Sequence, residues 1–195
     1  MTSRELEEYR ALRDTIRERG TTRVWAFLAG LTAWAALTVA TAALAALPVA
    51  TLLPLLVLAA TFEAVFSLHV GVERIGRYVQ VFFENDAPPG VIDQRDGLEP
   101  VARATTPGAG WEHVAMAFGR PSAGSSLDPT FATFFILAAV LNFVPVILAE
   151  PVRIEVIVVG TAHVLLIVRI LAARRVAARQ RAADLERFQQ IKQRT

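Results

Sequence analysis

Between Val24 and Leu47 the chain runs for 24 residues without a charged side chain, and no other feature limits the fold as strongly. As a helix, that run covers about 36 Å at 1.5 Å per residue, more than the ~30 Å of a bilayer's hydrocarbon core. Apolar surroundings offer no water to backbone N–H and C=O groups, so a segment crossing them must satisfy those groups within itself, as a helix does. Three more apolar runs follow, at about 49–70, 130–149 and 152–172. Pro48 closes the first run and Pro151 opens the fourth, so the connections between runs one and two and between three and four are short. The expected fold class is all-α: an integral membrane four-helix bundle of two transmembrane hairpins, with helical extensions into the cytoplasm.

The first run does not read as a cleaved signal. Its apolar stretch and its leader are both too long, and the leader is too acidic, although Ala43-Leu44-Ala45 has the form of a cleavage motif. Residues 1–20 instead form a cytoplasmic amphipathic helix, with Leu6, Tyr9, Leu12 and Ile16 at spacings of three and four. Gly20 is expected to end that helix, and Thr21 or Thr22 to cap the next one. Residues 21–86 make the first transmembrane hairpin. Its second helix continues into the cytoplasm until Asp86-Ala87-Pro88-Pro89-Gly90 stops it.

Residues 87–129 are of another kind, holding six of the ten Pro and six of the eleven Gly. They read as a cytoplasmic loop containing one short amphipathic helix, 111–118, on which Trp111, Val114, Ala115 and Phe118 share a face. Residues 130–172 make the second hairpin, and 173–195 a basic cytoplasmic helix with Val176, Leu185, Phe188 and Ile191 on its apolar side. The turns of the two hairpins share a six-residue proline spacing, Pro48 to Pro54 and Pro145 to Pro151, as a duplication would leave.

Charge placement sets the orientation. The net charge is only +2, but residues 173–195 carry seven basic and two acidic groups. Arginines precede run one (Arg10 to Arg23), follow run two (Arg74, Arg77) and follow run four (Arg169 to Arg181), whereas the two short connections hold only Arg153. By the positive-inside rule both termini and the 87–129 loop are cytoplasmic, in a bacterial inner membrane. The lipid bilayer is the first partner expected. Arg174, Arg175, Arg179 and Arg181 beside an apolar run point to anionic lipid headgroups rather than to nucleic acid.

Chemistry would have to come from polar side chains inside the runs, where an ionisable group is costly and marks a candidate site. Counting 1.5 Å per residue from the middle of each run places Glu63, Asn142 and His163 at similar depth on three helices, an expected intramembrane polar cluster. Nearer the cytoplasm, His69, Glu73 and Arg77 lie along one face of helix two, with Arg169 expected to pair with Glu73. His69 and Glu73, at i and i+4, have a spacing suited to metal. The di-metal pattern of Glu-x-x-His on two helices is absent, however, so no metal site is expected.

With no cysteine, no Gly-rich phosphate loop and no Gly-x-Ser-x-Gly, the sequence leads to no catalytic residues and no cofactor. The role expected is an interaction or assembly component of the membrane, as a homo-oligomer or with another membrane protein. The first alternative is a small proton- or ion-coupled transporter or channel using Glu63 and His163, and the second a membrane redox or metal-binding protein. Orientation can be tested directly, because an introduced cysteine is unique in this chain. Single cysteines at residues 10, 100 and 185 should react with an impermeant thiol reagent only from the cytoplasmic side; labelling of residue 100 from the periplasm would overturn the topology.

Overall fold

The computed structural model describes residues 3–42, 48–84, 129–148 and 152–194. Every one of these except Val152 lies in a helix. Helix α1 spans Ser3–Ala42, a 3₁₀ turn takes Pro48–Thr51, and α2 spans Leu52–Val79 and ends in a π turn at Gln80–Glu84. Helix α3 spans Pro129–Leu148 and α4 spans Arg153–Arg194. All four helices are long and apolar enough to cross a membrane. The 111–118 helix and most of the 87–129 loop lie outside the described residues.

One boundary differs from that expected. Helix α1 is continuous through Gly20, where the sequence suggested an end. A glycine inside a helix costs only about 1 kcal/mol relative to alanine, so without a proline it does not stop one. The Thr22 hydroxyl donates to the Glu18 carbonyl at 2.9 Å, the bond of a threonine inside a helix rather than at a cap. Helix α4 runs unbroken from Arg153 to Arg194. The proline echo is not matched in structure: Pro48 lies in the 3₁₀ turn, whereas Pro145 lies inside α3.

The chain divides into two compact units. The larger comprises Glu18–Val70 and Gly124–Ala178. Its core is a seam of buried residues at alternating spacings of three and four: Leu55, Leu58, Phe62 and Val65 on α2, and Ala132, Phe135, Ala139, Asn142 and Val146 on α3. Helix α4 contributes Val159, His163, Leu166, Ile170, Ala173 and Ala177. An alternation averaging 3.5 residues is that of knobs packed into holes, which keeps one narrow face of each helix turned toward its neighbours. Aromatic rings fill the space between α1, α2 and α3. Phe27 meets Phe131 edge-on at 4.7 Å, and Phe62 meets Phe135 at 5.3 Å.

Helix α1 contributes no fully buried residue, so it is held by a few close contacts. The tightest is between Gly30 and Thr61, where a Cβ on Gly30 would overlap Cγ2 and Oγ1 of Thr61 and lie 2.7 Å from its Cβ. Thr61 cannot swing aside freely, because it is β-branched and its hydroxyl donates to the Val57 carbonyl at 2.7 Å. Arg23 of α1 also meets His69 of α2, so residue numbers fall along α1 as they rise along α2. The first hairpin is antiparallel.

The smaller unit comprises Met1–Arg17, Gly71–Ala123 and Arg179–Thr195. Val79 and Val81 are its fully buried side chains among the described residues. Around them Tyr9, Tyr78, Phe83 and Phe188 pack ring against ring, with Tyr78 5.7 Å from Phe188 and Tyr9 5.7 Å from Phe83. The Tyr78 hydroxyl donates to Glu8 at 3.0 Å. Partial burial, and then that carboxylate, push the Tyr78 hydroxyl's pKa above its usual value.

The Gly30 contact gives a stability test. Gly30→Ala gains about 1 kcal/mol of helix propensity but forces an overlap of the kind that costs about 1–3 kcal/mol. The variant should therefore unfold at lower temperature than the wild type in mild detergent. Thr61→Ala in the same chain removes the two closest atoms and should restore part of the loss. A Gly30→Ala variant as stable as the wild type would mean that α1 does not approach α2 at this point.

Candidate functional site

Within the larger unit, Asn142 of α3 is the hub of a buried polar network. Its Nδ2 donates to the Thr51 carbonyl at 2.9 Å and lies 3.0 Å from Nε2 of His163 on α4. Its Oδ1 accepts from the indole N–H of Trp34 on α1 at 3.3 Å. The other His163 nitrogen, Nδ1, is 2.8 Å from the Val159 carbonyl one turn earlier.

These contacts determine the histidine tautomer. A carbonyl only accepts, so Nδ1 carries the proton; Nε2 is then the acceptor for the second Asn142 N–H. His163 is thus held neutral, and both N–H bonds and the oxygen of the Asn142 amide are used. Asn142 and His163 are 1% and 4% exposed, so the bonds among Asn142, His163, Thr51 and Val159 are shielded from solvent. The Phe143 ring caps the imidazole at 5.1 Å. A buried polar group left without a partner costs about 1–3 kcal/mol, which is the reason such a network fixes helix register.

Of the three residues expected to cluster, the structure brings Asn142 and His163 together, but Glu63 does not join them. Its carboxylate accepts from Nη2 of Arg169 at 2.8 Å. The guanidinium lies over the rings of Phe66, at 5.0 Å, and Phe62, at 5.7 Å. The expected pairing of Arg169 with Glu73 is therefore corrected. Arg181 takes Glu73 instead, at 2.6 Å, within the smaller unit.

The reason is helix register. Within the larger unit the bond from α4 to α2 joins residues 106 apart, and within the smaller unit the bonds from α4 to α2 and its π turn join residues 108, 110 and 111 apart. Arg169 and Glu73 are only 96 apart, which sets them more than two turns out of register. A count of rise from Glu63 and from Arg169 would have found this pairing. Trp34 and Thr51 carry no such signal, because a single indole and a turn carbonyl look ordinary in sequence.

The rest of the expected polar stripe divides between partners. His69 Nδ1 lies 2.9 Å from Nη1 of Arg23. The guanidinium can only donate, so Nδ1 is the acceptor and His69 is neutral in this contact. Arg77 is 7% exposed in the smaller unit. No three His, Asp or Glu side chains converge in a metal-holding group among the described residues. Of the arginines expected at lipid headgroups, Arg175 and Arg179 are exposed and Arg174 is half-buried. Arg181 is committed to Glu73.

Removing the hub should cost more than removing a spoke. Asn142→Leu strands the Trp34 N–H, the Thr51 carbonyl and His163 Nε2, each worth roughly 1–3 kcal/mol if it finds no substitute. His163→Leu strands one Asn142 N–H and should cost less. The double variant should lose less than the sum of the two, read from thermal unfolding in mild detergent. Additive losses would show that the two side chains are not bonded. Comparison with protein-family models, with curated proteins and with solved structures returned no match for this chain.

Proposed function

We propose that this chain is a multi-pass integral membrane protein of a bacterial inner membrane, with both termini and the 87–129 loop in the cytoplasm, and that it acts as an interaction or assembly component. Four long apolar helices support the membrane placement. So do large apolar side chains that face outward: Leu137, Val140, Leu141 and Ile147 on α3 are each at least half exposed. In water, such a surface would be an unusually large apolar patch; against lipid it is ordinary.

One observation carries the functional reading. The polar side chains that a transport path would use are engaged in short, separate groups: Asn142 with His163 and Trp34, Glu63 with Arg169, and His69 with Arg23. A proton or ion route needs a chain of groups that can exchange partners. Glu63 and His163, the pair that the transport alternative requires, sit in different groups. At the cytoplasmic end, exposed Arg175 and Arg179, one turn apart on α4, suit anionic headgroups. Arg181 is left out of that set by its bond to Glu73.

The test uses the intact protein. It should stay with membranes through alkaline carbonate extraction. Reconstituted into liposomes, it should carry no more protons than empty vesicles under an imposed potential. Proton flux in the wild type that is lost in Glu63→Gln, with folding unchanged, would replace this reading with transport.

A further inference from the structure

The Glu63–Arg169 pair is set apart by its exposure. The carboxylate side chain is 49% exposed and the guanidinium side chain 39%, yet both belong to the apolar unit. Among the described residues the bond is single, from one guanidinium nitrogen to one carboxylate oxygen. By rise along the helix, Glu63 lies about 5 Å from the middle of its apolar run and Arg169 about 10 Å, both inside the ~15 Å half-thickness of hydrocarbon. Water would complete the remaining hydrogen bonds of such a pair at a surface. Acyl chains cannot, and charged groups at that depth require partners.

We infer that the partner is a second copy of this chain, docked in parallel so that each Arg169 meets the second copy's Glu63. This rests on the membrane placement proposed above. A face that carries one positive and one negative group side by side is its own complement under a two-fold axis along the helices, and the same patch then serves on both copies. The four charges alternate in sign around that axis, and the unused carboxylate oxygens and guanidinium N–H groups find each other. Cation–π contact with Phe62 and Phe66 holds each guanidinium in place for this. The neighbouring surface of α2 suits close approach. Ala60, Ala64 and Ser67 are exposed within about a quarter-turn or so of Glu63, and small side chains allow helix backbones to come together.

The chain has no cysteine, so Ala64→Cys, on the exposed side of α2 next to Glu63, provides a single site for a bifunctional thiol reagent with a flexible spacer. In membranes, that reagent should give a covalently linked dimer. The decisive comparison pairs this chain with Glu63→Arg/Arg169→Glu, a charge swap that preserves the bond within each copy. Each form should cross-link with itself. When the two are co-expressed under different tags, mixed dimers should fall at least about tenfold below random pairing, because like charges then face each other. Mixed dimers at the random proportion, or no cross-link from Ala64→Cys in protein that resists carbonate extraction, would overturn the inference alone. Wild-type protein released by carbonate would overturn the membrane placement, and the dimer with it.

Discussion

A buried polar group in apolar surroundings must find its hydrogen bonds within the protein, and the arrangement of the larger unit depends on that demand. Among the described residues the backbone meets it by being helical, with a 3₁₀ turn at Pro48–Thr51 before α2. Among side chains, Asn142 carries the largest share. One amide joins α3 to α4 through His163, to the turn before α2 through the Thr51 carbonyl, and to α1 through Trp34. Sliding any of these elements by a residue would break one of these bonds. Register is therefore pinned at Asn142 as well as by the interlocking of the largely apolar seam around it.

The apolar contacts around the hub have less power to choose. In water, burying a Phe or Leu side chain contributes about 1.5–3 kcal/mol. On the membrane reading the alternative to burial is lipid, which is equally apolar, so close packing and small side chains must hold the helices together. The core fits that requirement. Ala132, Ala138, Ala139, Ala173 and Ala177 bring backbones close, Gly30 lets α1 meet Thr61, and Phe62 and Phe135 fill what remains. The smaller unit relies on different forces, with a compact aromatic cluster and the ion pairs Arg181–Glu73 and Arg74–Asp184. Ion pairs still in reach of solvent contribute only about 0–1 kcal/mol each, so the rings and the buried valines carry most of its cohesion.

Three separate polar groups rather than one connected path also shape the functional reading. Each joins two or more helices, and each uses its histidine in a neutral, accepting role or leaves histidine out. Such groups hold helices at fixed positions, as a structural or assembly protein needs. Of these three groups among the described residues, the Glu63–Arg169 pair is the one that is an ion pair with both side chains substantially exposed.

By itself the sequence determined that the chain is helical, that four of its helices are long and apolar enough to cross a membrane, and roughly where each begins. Length without charge is a local property, and backbone hydrogen bonding makes it decisive. It did not determine whether the first helix stops at Gly20, because a glycine does not stop a helix as a proline does. Nor did it determine which face of each helix turns inward. On α3 the outward residues Leu137, Val140 and Leu141 are as apolar as the buried Phe135 and Val146, so periodicity carries no contrast. Tertiary structure alone decided that Asn142 reaches His163 and that Arg169 takes Glu63 while Arg181 takes Glu73. Those choices depend on the relative register of helices far apart in the chain, and register is set by how the seams interlock.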